Sequence, residues 1–130
     1  MYRMVSIGLA GNDLGEAVSM PLPSFFDHVR KIPYQRDRKG RETVARPALL
    51  LREFPALDCK KKAILMGAYL ASKKIPFRFI AVSETPTKKF HHVFVLARVA
   101  GAWRPVDATY AKYKLFEKKP RVTRWQILQP

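Results

Sequence analysis

Cysteine is nearly absent from this chain. Cys59 is the only one in 130 residues. A lone thiol excludes an intramolecular disulfide and suits a reducing compartment better than secretion. Long apolar runs are missing too, and no stretch approaches the roughly 18 residues of a membrane span, so no membrane segment is expected. The opening residues are interrupted by Asn12, Asp13 and Glu16 and lack the compact apolar core of a secretory signal. The expectation is a cytoplasmic protein, or one carried inside an assembly such as a virion. Acid is scarce: 10 Asp and Glu stand against 25 Lys and Arg, a formal net charge of +15. That field would draw nucleic acid, acidic proteins or anionic surfaces, without specificity of its own. The few glycines build no phosphate-cradling loop, and no Ser occupies a nucleophile elbow. Of three histidines, His91 and His92 are adjacent and diverge on a strand, while His28 is remote. That set is poor for a metal site, and neither metal nor cofactor is expected.

What is present is an ordinary globular balance, 48% hydrophobic and 27% charged, of a length that suits one domain, residues 1–130. Tyr2–Ala10 has strand-like content and Gly11–Gly15 reads as a turn. Ser24–Lys31 follows Pro21 and Pro23 and reads as a short helix capped by Ser24. Tyr34–Pro47 is polar and reads as an exposed loop or small hairpin. Asp58–Lys74 is the clearest helix, with Asp58 as N-cap. Its stretch Ala63–Ala71 is apolar nearly all round, which predicts a central, buried helix. Phe77–Ser83, Phe90–Val99, Ala102–Ala108 and Val122–Leu128 read as strands, and Glu84–Lys89 as a loop. Pro105 confines its strand to a place where a missing donor is tolerated. The class is α+β.

Cys59 falls in the first turn of the buried helix. A lone Cys is commonly a small buried hydrophobe. At a helix N-terminus, however, unpaired N–H groups and the macrodipole favour thiolate. Lys60, Lys61 and Lys62 follow and add positive charge there, or form a solvated basic face. The hairpin carries the other chemistry. If Ala100 and Gly101 form a two-residue turn, Val99 pairs with Ala102, Phe94 faces Asp107 and His92 faces Thr109. His92, Phe94, Asp107 and Thr109 then share one face. His92 and Asp107 become diagonal neighbours, within reach of each other. A slip of one residue would deliver His91 instead. Taken singly, His92 could be a core histidine and Asp107 a strand-end cap. Together with Cys59 they have the composition of a thiol, a base and an orienting carboxylate.

Several segments, in order, resemble the transglutaminase-like superfamily: Leu57-Asp58-Cys59 and the apolar helix after it, Lys74-Ile75-Pro76, His92-Val93-Phe94-Val95, and Trp103-Arg104-Pro105-Val106-Asp107-Ala108-Thr109. With the polar stretch Tyr34–Pro47, the chain looks like the short, bacteriophage-type or bacterial members. The resemblance runs from about Val29 to Tyr110. It implies a papain-like core, with a central buried helix that presents the Cys packed on an antiparallel sheet bearing His and Asp. It also implies acyl transfer. Cys59 would attack an amide carbonyl, His92 would move the proton and Asp107 would hold the imidazole. A protein or peptide substrate follows, acidic if the basic surroundings matter. The backbone N–H of Cys59 is a natural oxyanion donor and Gln35 a candidate side-chain donor. The chain departs from the family pattern at Leu57, where the family has Gly, at Lys60 and Lys61, where acids are common, and at Ala108, where it has Pro.

Two other classes stay open. Tyr110, Tyr113, Phe116 and Trp125 interleave with Lys112, Lys114, Lys118, Lys119, Arg121 and Arg124, a mixture suited to stacking bases and contacting phosphates; the same aromatics could simply cover the core. A structural or assembly protein on an old catalytic fold is the other.

Overall fold

The computed structural model describes residues 1–37, 44–83, 89–119, 122 and 124–128. The inner part of the polar stretch after Tyr34 and most of the expected Glu84–Lys89 loop lie outside the described residues. Four helices precede a four-stranded sheet: α1 (Tyr2–Ala10), α2 (Leu22–Arg30), α3 (Pro47–Glu53), α4 (Cys59–Ser72), then β1 (Phe77–Ser83), β2 (His92–Val99), β3 (Ala102–Val106) and β4 (Arg124–Ile127). A short 3-10 turn, Gly15–Ser19, joins α1 to α2. The sheet is antiparallel in the order β3-β2-β1-β4.

Helix α4 is the centre. Asp58 caps it, its Oδ1 accepting the Lys61 N–H at 2.9 Å. Every residue from Lys61 to Leu70 is buried, as its all-round apolar character predicts. At the far end Lys74 turns left-handed (φ 57). The Ile75 N–H reaches back to the Leu70 carbonyl at 2.9 Å and that of Lys74 to Ala71 at 3.0 Å. This is a Schellman closure with Pro76 just beyond. One face of α4 lies on the sheet. Another meets α1, where Gly67 leaves room: a Cβ there would stand 3.0 Å from Phe79 and 3.1 Å from Val5.

Tyr2–Ala10 is a helix, not the strand its composition suggests. It has no side-chain cap, and long-range packing holds it instead. Gly8 sits so close to the Pro47 ring of α3 that a Cβ would come within 2.6 Å. The Tyr2 hydroxyl accepts the Phe79 N–H at 3.0 Å and donates to the Leu128 carbonyl at 3.1 Å. Helix α2 also starts earlier than expected. Pro21 is the N-cap and Pro23 lies in the first turn, where a missing N–H costs nothing. Ser24 is thus inside the helix and not its cap.

The hairpin closes as the spacing predicts. Ala100 (φ 54) and Gly101 (φ 78) both take the left-handed region, the type I′ geometry that matches strand twist. Val99 pairs with Ala102, Leu96 with Pro105 and Val95 with Val106. Pro105 is accommodated because β3 is an outer strand. Among the described residues, no helix is long and apolar enough to cross a membrane.

Candidate functional site

Three elements converge at one end of the sheet. Cys59 is the first residue of α4, half-buried and unpaired by any disulfide. His92 is the first residue of β2, and Asp107 follows directly on β3. The register that pairs Val95 with Val106 puts His92 and Asp107 diagonally across the hairpin. There His92 Nε2 and Asp107 Oδ2 are 2.6 Å apart. The other ring nitrogen, Nδ1, is left for the sulfur, and the nearby Cys59 side chain helps to raise the His92 pKa. Cys59, Lys60, Phe90, His91 and His92 share the lining of a cleft of about 240 Å³.

The carboxylate is fully engaged. Asp107 Oδ1 accepts the Thr109 hydroxyl at 2.5 Å and the Thr109 N–H at 3.1 Å. Oδ2 takes His92 and, at 3.1 Å, the Lys119 ammonium. Burial alone would raise the Asp107 pKa. The His92 ring, the Lys119 charge and the Thr109 hydroxyl hold it below the ordinary carboxylate value. For His92, burial would lower the pKa. The hydrogen bonds and charges of Asp107 and Cys59 outweigh it and raise it to about 9. The site therefore presents an imidazolium beside the sulfur at neutral pH, clamped from behind by a buried anion.

Sequence reading missed Lys62. The run Lys60–Lys62 is not a solvated face. Lys60 pairs with Asp58 at 2.6 Å, Lys61 pairs with Asp37, and Lys62 is buried. Its ammonium donates to the carbonyls of Ile32 (2.6 Å), Thr109 (2.8 Å) and Arg30 (3.4 Å). Lys62 thus pins α4 to the loop after α2 and to the turn that carries Asp107 and Thr109. Burial lowers its pKa to about 8, against the attraction of Asp107. Lys119 was visible only as one charge in a basic tail. Gln35 is exposed. Its N–H donates to the Leu57 carbonyl at 3.1 Å, so its main chain runs beside the approach to Cys59. Among the described residues, no group of three or more His, Cys, Asp or Glu side chains is disposed to hold a metal ion.

The two shifted groups give folding stability a distinct pH dependence. His92 is raised, so its contribution is complete below about 6.5 and is lost as pH climbs through about 9. Lys62 is lowered. Its burial cost is therefore relieved between about 8 and the ordinary lysine value of 10.5. Stability should fall by about 1 kcal/mol from pH 6.5 to 8 and level off between 8 and 9. Urea denaturation at half-unit pH steps reads this directly. A curve flat across pH 6.5–8 would contradict the His92 assignment.

No protein-family model matches the chain, and no curated protein matches it. Among solved structures it is similar to a candidate cysteine protease from Cytophaga hutchinsonii, with 19% identity and a TM-score of 0.51. The match covers 68% of this chain and 30% of that one. At that identity the likeness is one of fold, and it supports a papain-like arrangement in which a Cys-bearing helix packs on an antiparallel sheet.

Proposed function

We propose that the chain is a transglutaminase-like cysteine enzyme that acts on amide bonds by acyl transfer, as a peptidase or amidase rather than a cross-linker, with its 130 residues forming one domain. The observation that carries this is the His92 ring, which shares a cleft lining with Cys59 and lies 2.6 Å from the buried Asp107 carboxylate. In the forward step the Cys59 sulfur attacks the amide carbonyl carbon, and an S–C bond forms. His92 gives its proton to the departing amine as the C–N bond breaks. Water then attacks the thioester and His92 takes a proton from it. The C–S bond breaks, which frees the acid and regenerates the sulfur. An amine in place of water would give cross-linking. The oxyanion forms near the first turn of α4, whose N–H groups lack intrahelical acceptors. The Cys59 N–H and the Gln35 side chain are the proposed donors. The net charge of +15 favours an acidic protein or peptide as substrate.

The first test is the rate of Cys59 alkylation by iodoacetamide across pH, in the native protein and in His92→Ala. The native protein should react at least about tenfold faster than the variant near pH 6. Slow reaction at all pH values, with no effect of His92, would mean an idle thiol and would favour an assembly role that Cys59→Ala leaves intact.

A further inference from the structure

The second face of the sheet points to a different ligand. Helix α4 covers the face that carries Phe79, Val93 and Val95. Strand pairing places Arg78, Ile80 and Val82 of β1, His92, Phe94, Leu96 and Arg98 of β2, Trp103 and Pro105 of β3, and Trp125 and Ile127 of β4 on the opposite face, so that this face runs on from the His92 end of the site. Ile80, Val82 and Phe94 form a small core of their own there. Above it runs a shallow trough of about 320 Å³, bordered by both tryptophans, Arg78 and Lys119. Trp125 is 61% exposed and Trp103 36%. The Arg78 guanidinium lies over the Trp103 ring at 4.3 Å.

Charge selects the occupant. Residues 59–130 hold 16 Lys and Arg against 3 Asp and Glu, so they supply +13 of the net +15. None of the four strands contains an acid. A flat, apolar surface with two exposed indoles and cations at its rim matches a polyanion whose units have π-faces. An acidic polypeptide would match the charge but would leave the exposed Trp125 indole without a stacking partner. Tyr110 and Tyr113, which looked like part of a stacking ladder in the sequence, are in ring contact with each other, and Tyr110 also with Tyr34. The exposed stacking surface is the Trp103–Trp125 face instead.

We infer that this sheet face binds single-stranded nucleic acid, with Trp103 and Trp125 stacking on bases and Arg78 and Arg98 meeting phosphates. The inference does not depend on whether the thiol is active.

The protein has only two tryptophans, and both lie on this face, so intrinsic fluorescence reports on it directly. Titration with oligo(dT) of about 12 nucleotides, at about 0.15 M salt, should quench that emission saturably, and duplex DNA should bind more weakly. Joint Trp103→Ala and Trp125→Ala replacement leaves net charge unchanged. It should weaken binding of a dye-labelled oligo(dT) at least about tenfold by anisotropy. Arg78→Gln, which spares both indoles, should reduce the salt slope by about one. The inference is overturned if oligo(dT) causes no quenching or if the double variant binds like the parent, which would mean charge alone. It is equally overturned if polyglutamate competes as well as oligo(dT), which would identify an acidic polypeptide as the partner.

Discussion

Asp107→Asn is expected to lower amide turnover at neutral pH by about 10²–10⁴-fold. The cause is the hydrogen-bond pattern and not charge alone. Thr109 presents two donors to Oδ1, the hydroxyl at 2.5 Å and the N–H at 3.1 Å. An Asn must meet those donors with its carbonyl oxygen. Its NH₂ group then faces His92 Nε2, where the carboxylate had accepted at 2.6 Å. The ring is forced to accept at Nε2 and to carry its proton at Nδ1, toward Cys59. In that tautomer it cannot take a proton from the thiol. The variant also removes the anion that keeps His92 charged and leaves Lys119 without its carboxylate. Turnover and the urea midpoint should be measured together. A variant that loses stability but keeps turnover would show that Asp107 is a structural anchor only.

Lys62→Met should lower stability by about 3 kcal/mol. The replacement is close in length and apolar, so packing is preserved. What disappears is the one ammonium that satisfies the carbonyls of Ile32 and Thr109 and lies 3.4 Å from that of Arg30. Acceptors buried without a donor lose their hydration with nothing in return. Urea denaturation at pH 7 tests this. The opposite result, an unchanged or more stable variant, is physically coherent. It would mean that desolvating the charge costs more than its three bonds return, as is known for other buried charges. The claim that Lys62 braces the Asp107 turn would then fail.

How much of this was legible in the residues varies by element, and for physical reasons. The hairpin could be read to the residue. A two-residue turn fixes register, strand alternation fixes the face, and both are local. The His92–Asp107 pairing followed from that. The extent of α4 was also legible, because Asp58, the apolar run and Pro76 are strong punctuation. Helix α1 was not. Val5 and Tyr2 look strand-like, and the decision rests on contacts distant in sequence: Gly8 on Pro47 and the Tyr2 hydroxyl on Phe79 and Leu128. The lysine run failed for the same reason. Nothing near Lys62 announces that its acceptors will come from Ile32 and Thr109, which are 30 and 47 positions away. Lys119 reaches Asp107 only through the path of the chain after β3, for which no sequence rule exists.

The hairpin has a consequence for how the protein is made. His92 and Asp107 are 15 residues apart, and their partnership is set by a contiguous piece of chain that can form in microseconds. Cys59 leaves the ribosome 33 residues before His92 and 48 before Asp107. Throughout that interval the nascent chain carries Cys59 without His92 or Asp107 beside it. Folding of the hairpin onto the finished helix is what brings the three side chains together, so a chain that stops before Asp107 lacks the arrangement altogether.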